Sequence, residues 1–117
     1  MKPILYHNPR CSKSRQALAL LTARGVEPEI VRYLDQPPDL PTLQAIAEAL
    51  DEPIGAMVRP QEAAWKDAGE RPEALQGDAL LRFVVEHPKV LQRPILVVGR
   101  RARIGRPPER ILEILPE

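Results

Sequence analysis

The period of apolar and polar positions changes several times along this chain of 117 residues, and each change predicts an element. Ile4-Leu5-Tyr6 is a short apolar run that fits a buried strand. After Pro9, residues 12–24 carry Ala17, Leu18, Leu20 and Leu21 at helical spacing, and Gly25 is placed to stop that helix. Residues 29–34 (Glu-Ile-Val-Arg-Tyr-Leu) alternate and are β-branched at their centre, which predicts a second strand. Gln36-Pro37-Pro38-Asp39 breaks the pattern. Helical spacing resumes over 40–50, with Leu43, Ile46, Ala47 and Leu50 on one face and Pro41 in the first turn.

From Asp51 to Gly77, Pro53, Pro60, Gly69 and Pro72 interrupt every run, so only small helices and loops are expected there. Asp78 is placed to cap a helix carrying Leu80, Leu81, Val84 and Val85, which should stop at His87-Pro88 because proline disfavours helix in the residue before it. Ile95 to Val98 predicts a third strand after Arg93-Pro94. Gly99-Arg100 turns the chain into a fourth around Ala102 to Ile104, and Pro107-Pro108 opens a last helix with Ile111, Leu112 and Leu115. The order is beta-alpha-beta, a helical stretch, then beta-beta-alpha. It predicts an α/β chain, a mixed four-stranded sheet flanked by helices, which is the order of a thioredoxin-like fold. Residues 1–117 read as a single domain with a helical insertion over about 40–87.

Composition narrows the function. With 17 basic and 16 acidic residues the formal charge is +1, which gives no overall field for nucleic acid or an anionic membrane, so any anion site must be local. The first residues hold too short an apolar run for a signal peptide, and no stretch approaches the roughly 18 apolar residues of a membrane span. A cytoplasmic protein is expected. The one cysteine excludes an internal disulfide and makes a cysteine-rich metal site implausible.

That cysteine, Cys11, lies in His7-Asn8-Pro9-Arg10-Cys11-Ser12-Lys13-Ser14-Arg15, the turn between the first strand and the first helix. At a helix start, free N–H groups and the positive end of the dipole favour a thiolate, and neighbouring cations lower the thiol pKa further. Inert packing is the other reading of a free cysteine, but a polar, basic turn makes a poor apolar pocket. Ser14 stands where a dithiol enzyme would carry its second cysteine, so an outside thiol must resolve any mixed disulfide. Its hydroxyl can serve the sulfur or a bound oxyanion, or simply cap the helix. His7 either orients the turn or is a hydrogen-bonded surface residue. Arg59, Arg93 and Arg106 each precede a proline at an element boundary. Converging guanidinium groups would bind a tetrahedral oxyanion, but spacing alone does not bring them together.

The segment His7 to Arg15 closely resembles the active-site segment of glutaredoxin-linked arsenate reductases. Tyr33-Leu34-Asp35-Gln36-Pro37-Pro38, Val58-Arg59, His87-Pro88, Gln92-Arg93-Pro94-Ile95 and Gly105-Arg106-Pro107 resemble that family's later landmarks in order. The resemblance implies Cys11 as nucleophile, His7 and Ser14 as its supports, and Arg59, Arg93 and Arg106 as the oxyanion-binding arginines. It also implies a cis bond before Pro94, arsenate as substrate, glutathione as co-substrate with no tightly bound cofactor or metal, and glutaredoxin as partner. Monomer is the default state, with neither nucleic acid nor membrane as partner. Pro60, where the family more often has a basic residue, and the short C-terminus depart from the pattern. The resemblance also admits a thiol oxidoreductase of another substrate, or a redox-sensing regulator binding RNA polymerase. The latter relatives carry Cys-x-x-Cys where this chain has Cys-x-x-Ser.

Overall fold

The computed structural model describes residues 2–115. Strand β1 (Ile4–His7) leads through the Cys11 turn into helix α1 (Ser12–Ala23), and β2 (Glu29–Arg32) returns parallel to β1. Helices α2 (Leu40–Ala49), α3 (Ala63–Asp67) and α4 (Asp78–Glu86) follow, with 3-10 turns at Ile54–Met57, Pro72–Ala74 and Pro88–Val90. Strands β3 (Ile95–Val98) and β4 (Arg101–Ile104) form an antiparallel hairpin, and a 3-10 helix spans Pro108–Ile114. The sheet order is β2-β1-β3-β4, with β3 antiparallel to β1. This is the mixed four-stranded sheet expected of a thioredoxin-like fold.

Alternation along the central strands gives the sheet two apolar faces. Leu5 and Leu96 pack with Ala17 and Leu21 of α1 and with Ile111 and Ile114. Ile4, Tyr6, Ile95 and Val97 point the other way, onto the cluster built by α2, α3 and α4. Of the apolar residues that announce α1, Ala17, Leu18 and Leu21 hold it to the sheet, while Leu20 belongs to neither cluster. α1 ends as Gly25 predicts: Gly25 takes a φ of +74°, and the N–H groups of Gly25 and Val26 close onto the carbonyls of Thr22 and Leu21.

Three expectations are corrected. The second strand ends at Arg32, and Tyr33 turns inward as a fully buried residue. Gly77, at a φ of +53°, caps α4. Asp78 is the first helical residue, and its carboxylate accepts from the Gln44 side chain at 3.1 Å. The last helix is 3-10 in form, its short turns tucked under α1 and β4.

Gly105 fixes how closely β4 approaches the start of β3. Its N–H donates to the Pro94 carbonyl at 2.8 Å, and a Cβ there would stand 2.7 Å from Pro94 Cγ and 3.1 Å from Ile111 Cγ2. A proline ring cannot swing aside. Gly105→Ala is expected to lower the unfolding free energy by about 1–3 kcal/mol, read from the urea midpoint.

Candidate active site

The C-terminal ends of β1 and β2, the start of α1 and the open end of the β3–β4 hairpin meet at Cys11. The Cys11 N–H closes the turn on the Asn8 carbonyl at 3.0 Å, and Cys11 itself is the N-cap of α1, with extended backbone. Its sulfur is half-buried. Burial pushes the thiol up, but the backbone N–H groups of Ser14 and Lys13, the Arg106 charge and the Arg93 guanidinium outweigh it, and the pKa lies below its ordinary value.

His7 and Ser14 form the floor of the turn. Ser14 is fully buried; its Oγ lies 2.6 Å from His7 Nδ1 and accepts the Asn8 N–H at 3.1 Å. A serine oxygen has one hydrogen to give and two lone pairs, so with the Asn8 N–H accepted it still pairs with Nδ1 in either direction, according to the imidazole tautomer. The hydroxyl thus serves His7 rather than the sulfur; Ser14 serves Cys11 through its backbone. Burial, with the charges of Arg32 and Arg15, lowers the His7 pKa. The unfolded chain therefore binds a proton that the folded one refuses, and stability should decline as pH falls below 6.5, the ordinary value. Unfolding free energies measured across that range should show a shallower decline in His7→Asn than in the wild type.

The three arginines converge, although they reach the site from different elements. Val58 pairs with Leu91 in an isolated antiparallel bridge. Around it, Arg59 N–H donates to the Val90 carbonyl and Gln92 N–H to that of Met57, each at 2.7 Å. That pairing lays Arg59 beside Arg93. Trp65 Nε1 fixes the Arg59 carbonyl at 2.8 Å. Arg93 is largely buried and its Nη1 donates to the carbonyls of Lys89 and Leu91 at 3.1 and 3.2 Å. Arg106 Nε donates to the Arg93 carbonyl at 2.9 Å, and its Nη2 lies 3.6 Å from Cys11 Sγ. The bonds before Pro94 and Pro107 are both cis. The resemblance implied the first; nothing in the sequence pointed to the second.

Two further residues belong here that sequence reasoning did not assign. The Glu62 carboxylate lies 3.2 Å from Arg59 Nη1 and 3.8 Å from Arg93 Nη2, an anion on two of the three cations. Its only signal in the sequence is a charge pair three residues apart, common on any surface. Tyr33 lies just past the β1–β2 ladder, in which His7 pairs with Arg32, and looked like an ordinary strand residue. Chemically the arrangement offers a stabilised thiolate beside guanidinium groups, suited to attack on the centre of a tetrahedral oxyanion. No cluster of three or more metal-ligating side chains occurs among the described residues. No helix among them is long and apolar enough to cross a membrane.

Comparison with known proteins places this geometry in context. Residues 6–114 match the model of the ArsC family. The chain is 45% identical over 112 residues to the uncharacterized protein YfgD of Escherichia coli, covering 95% of this chain and 94% of that one. It is also 45% identical over 112 residues to an arsenate reductase of Neisseria meningitidis serogroup B, covering 95% and 96%. The solved structure of the arsenate reductase from Vibrio cholerae superposes with a TM-score of 0.88 at 42% identity, covering 98% of each chain.

Proposed function

The chain belongs to the ArsC family, and from that premise we propose that it is an arsenate reductase acting through a covalent arsenic adduct on Cys11, with electrons from glutathione and glutaredoxin. The observation that carries the reading is the Arg106 guanidinium 3.6 Å from the Cys11 sulfur. Arg93, whose carbonyl the same arginine grips, completes that side of the site. A doubly charged oxyanion seated there replaces Glu62 as partner of Arg59 and Arg93, and its central atom comes within reach of the thiolate.

Attack of the Cys11 thiolate on arsenic forms a sulfur–arsenic bond, and one arsenate oxygen leaves as water after taking up protons. The arginines neutralise the charge on the remaining oxygens. Glutathione then takes a second place on arsenic, again with loss of water. A glutaredoxin thiolate attacks that glutathione sulfur and forms the mixed disulfide. The electron pair of the broken sulfur–arsenic bond stays on arsenic, which falls from As(V) to As(III). Hydrolysis of the remaining bond frees arsenite and restores Cys11. The chain has one cysteine and cannot supply both electrons itself, which supports an outside thiol as reductant.

The test is arsenate-dependent NADPH oxidation by the purified protein. One arm is coupled through glutathione, glutaredoxin and glutathione reductase, a second through thioredoxin and its reductase, and each has a control without arsenate. Turnover in the first arm is the expected result. Turnover in the second alone replaces the electron donor, and a folded protein silent in both is not an arsenate reductase.

A further inference from the structure

Resting on the reading of the site as an oxyanion site, we infer that Tyr33 is its fourth group: the phenolic proton is donated to an oxygen of the anion that Arg59, Arg93 and Arg106 hold beside Cys11. The register of the parallel pair carries Tyr33 to the same end of the sheet as the Cys11 turn, level with the residue after His7. Its side chain is completely buried, and its hydroxyl has no hydrogen-bond partner among the described residues. A phenylalanine would fill the same space without that cost, because an unpaired buried hydroxyl loses water and gains nothing in return.

The groups facing the hydroxyl explain why it stays unpaired. The charges of Arg93, Cys11 and Arg59 act on it, and the Asn8 side chain stands close enough to donate towards the phenolic oxygen, which leaves the phenolic proton as the part without a partner. The two guanidinium groups are donors only. The Asn8 Oδ1 already accepts the Arg10 N–H at 3.0 Å, which turns the NH2 of that amide towards Tyr33. Arg93, Arg59 and the Asn8 amide can each give a hydrogen to the phenolic oxygen, while the Cys11 sulfur, the acceptor among the four, makes no hydrogen bond with the hydroxyl. Burial holds the Tyr33 pKa above its ordinary value despite the opposing pull of Arg93, so the proton is present at neutral pH. Arg93 Nε is likewise buried without a partner. Two unpaired donors thus lie at one end of the sheet, and an anion supplies the missing acceptors. Glu62 does not fill this role, since its carboxylate meets Arg59 Nη1 and Arg93 Nη2 instead.

The experiment compares wild type with Tyr33→Phe in three measurements: protection of Cys11 from iodoacetamide by arsenate, the pH midpoint of alkylation without arsenate, and thermal stability. The variant should need roughly 10- to 100-fold more arsenate for half-protection. Its alkylation midpoint should be unchanged and its melting temperature equal or higher. Steady-state assays should place the loss in KM, with kcat nearly untouched, because the bond exists before and during reaction. Equal protection in the two proteins overturns the inference and leaves the oxyanion site standing. So does a variant that melts lower or shifts its alkylation midpoint while protection is unchanged, since the hydroxyl then serves the fold or the thiolate. A wild type that arsenate does not protect removes the oxyanion site and Tyr33's role in it together.

Discussion

Cys11→Ser is expected to lose arsenate-dependent turnover by at least about 10³-fold, to the background of the coupled assay. A serine hydroxyl is not ionised where this thiol is, so the N–H groups of Lys13 and Ser14 that stabilise a thiolate have no anion to stabilise. The change is nearly isosteric, and Cys11 is the N-cap of α1, a position where serine is favoured. The variant should therefore melt no lower than wild type, and loss of activity would report chemistry alone. Residual turnover above background would place the nucleophile elsewhere and end the case for Cys11.

Arg106→Ala should lower kcat/KM for arsenate by about 10²–10³-fold, the usual effect of removing a charged donor from a developing oxyanion. The same change removes one of the groups that lower the thiol pKa. In the wild type the thiolate persists as pH falls from the ordinary thiol value of 9.0 down to the depressed folded value. Below that the sulfur is protonated, and alkylation slows. In the variant the midpoint should move up, so alkylation at neutral pH slows without arsenate present. The sulfur also links to folding: its ionisation favours the native state fully above 9.0, and that contribution is lost as pH falls through the folded value. Arg106→Lys should restore part of the midpoint but little of kcat/KM, because an ammonium cannot both grip the Arg93 carbonyl and face the sulfur. An Arg106→Ala protein with wild-type kcat/KM would remove this residue from the site.

The fold was legible wherever burial is one-sided and periodic. β3 is found at the predicted residues, and α1 and α4 end at the glycine and histidine-proline signals that stop them. What escaped depends on packing between distant segments. Arg59 meets Arg93 only because Val58 bridges Leu91, an isolated pairing with no periodicity to announce it. For the Ser14 hydroxyl, one helical turn from Cys11, the sequence leaves the sulfur, a bound oxyanion and a helix cap open. The fold instead brings His7 to 2.6 Å from that oxygen. The alternation continues through Tyr33 and so predicts a strand there, whereas the ladder ends one residue earlier and the ring is fully buried. The chemistry of Cys11 could be read locally, but its partners could not.

Arg93 and Arg106 flank the β3–β4 hairpin at its open end, while Gly99-Arg100 turns it at the other. The two N–H bonds that close the open end, from Gly105 to Pro94 and from Arg106 to Arg93, make the pair of arginines a clasp that does not pass through the turn. The turn stands about 13 Å away, four strand residues along, and both its residues are exposed. Added length at Gly99-Arg100 would loop outward into solvent and leave the clasp shut. That corner is accordingly where a fluorophore or an affinity handle can be grafted without disturbing the cysteine it would report on.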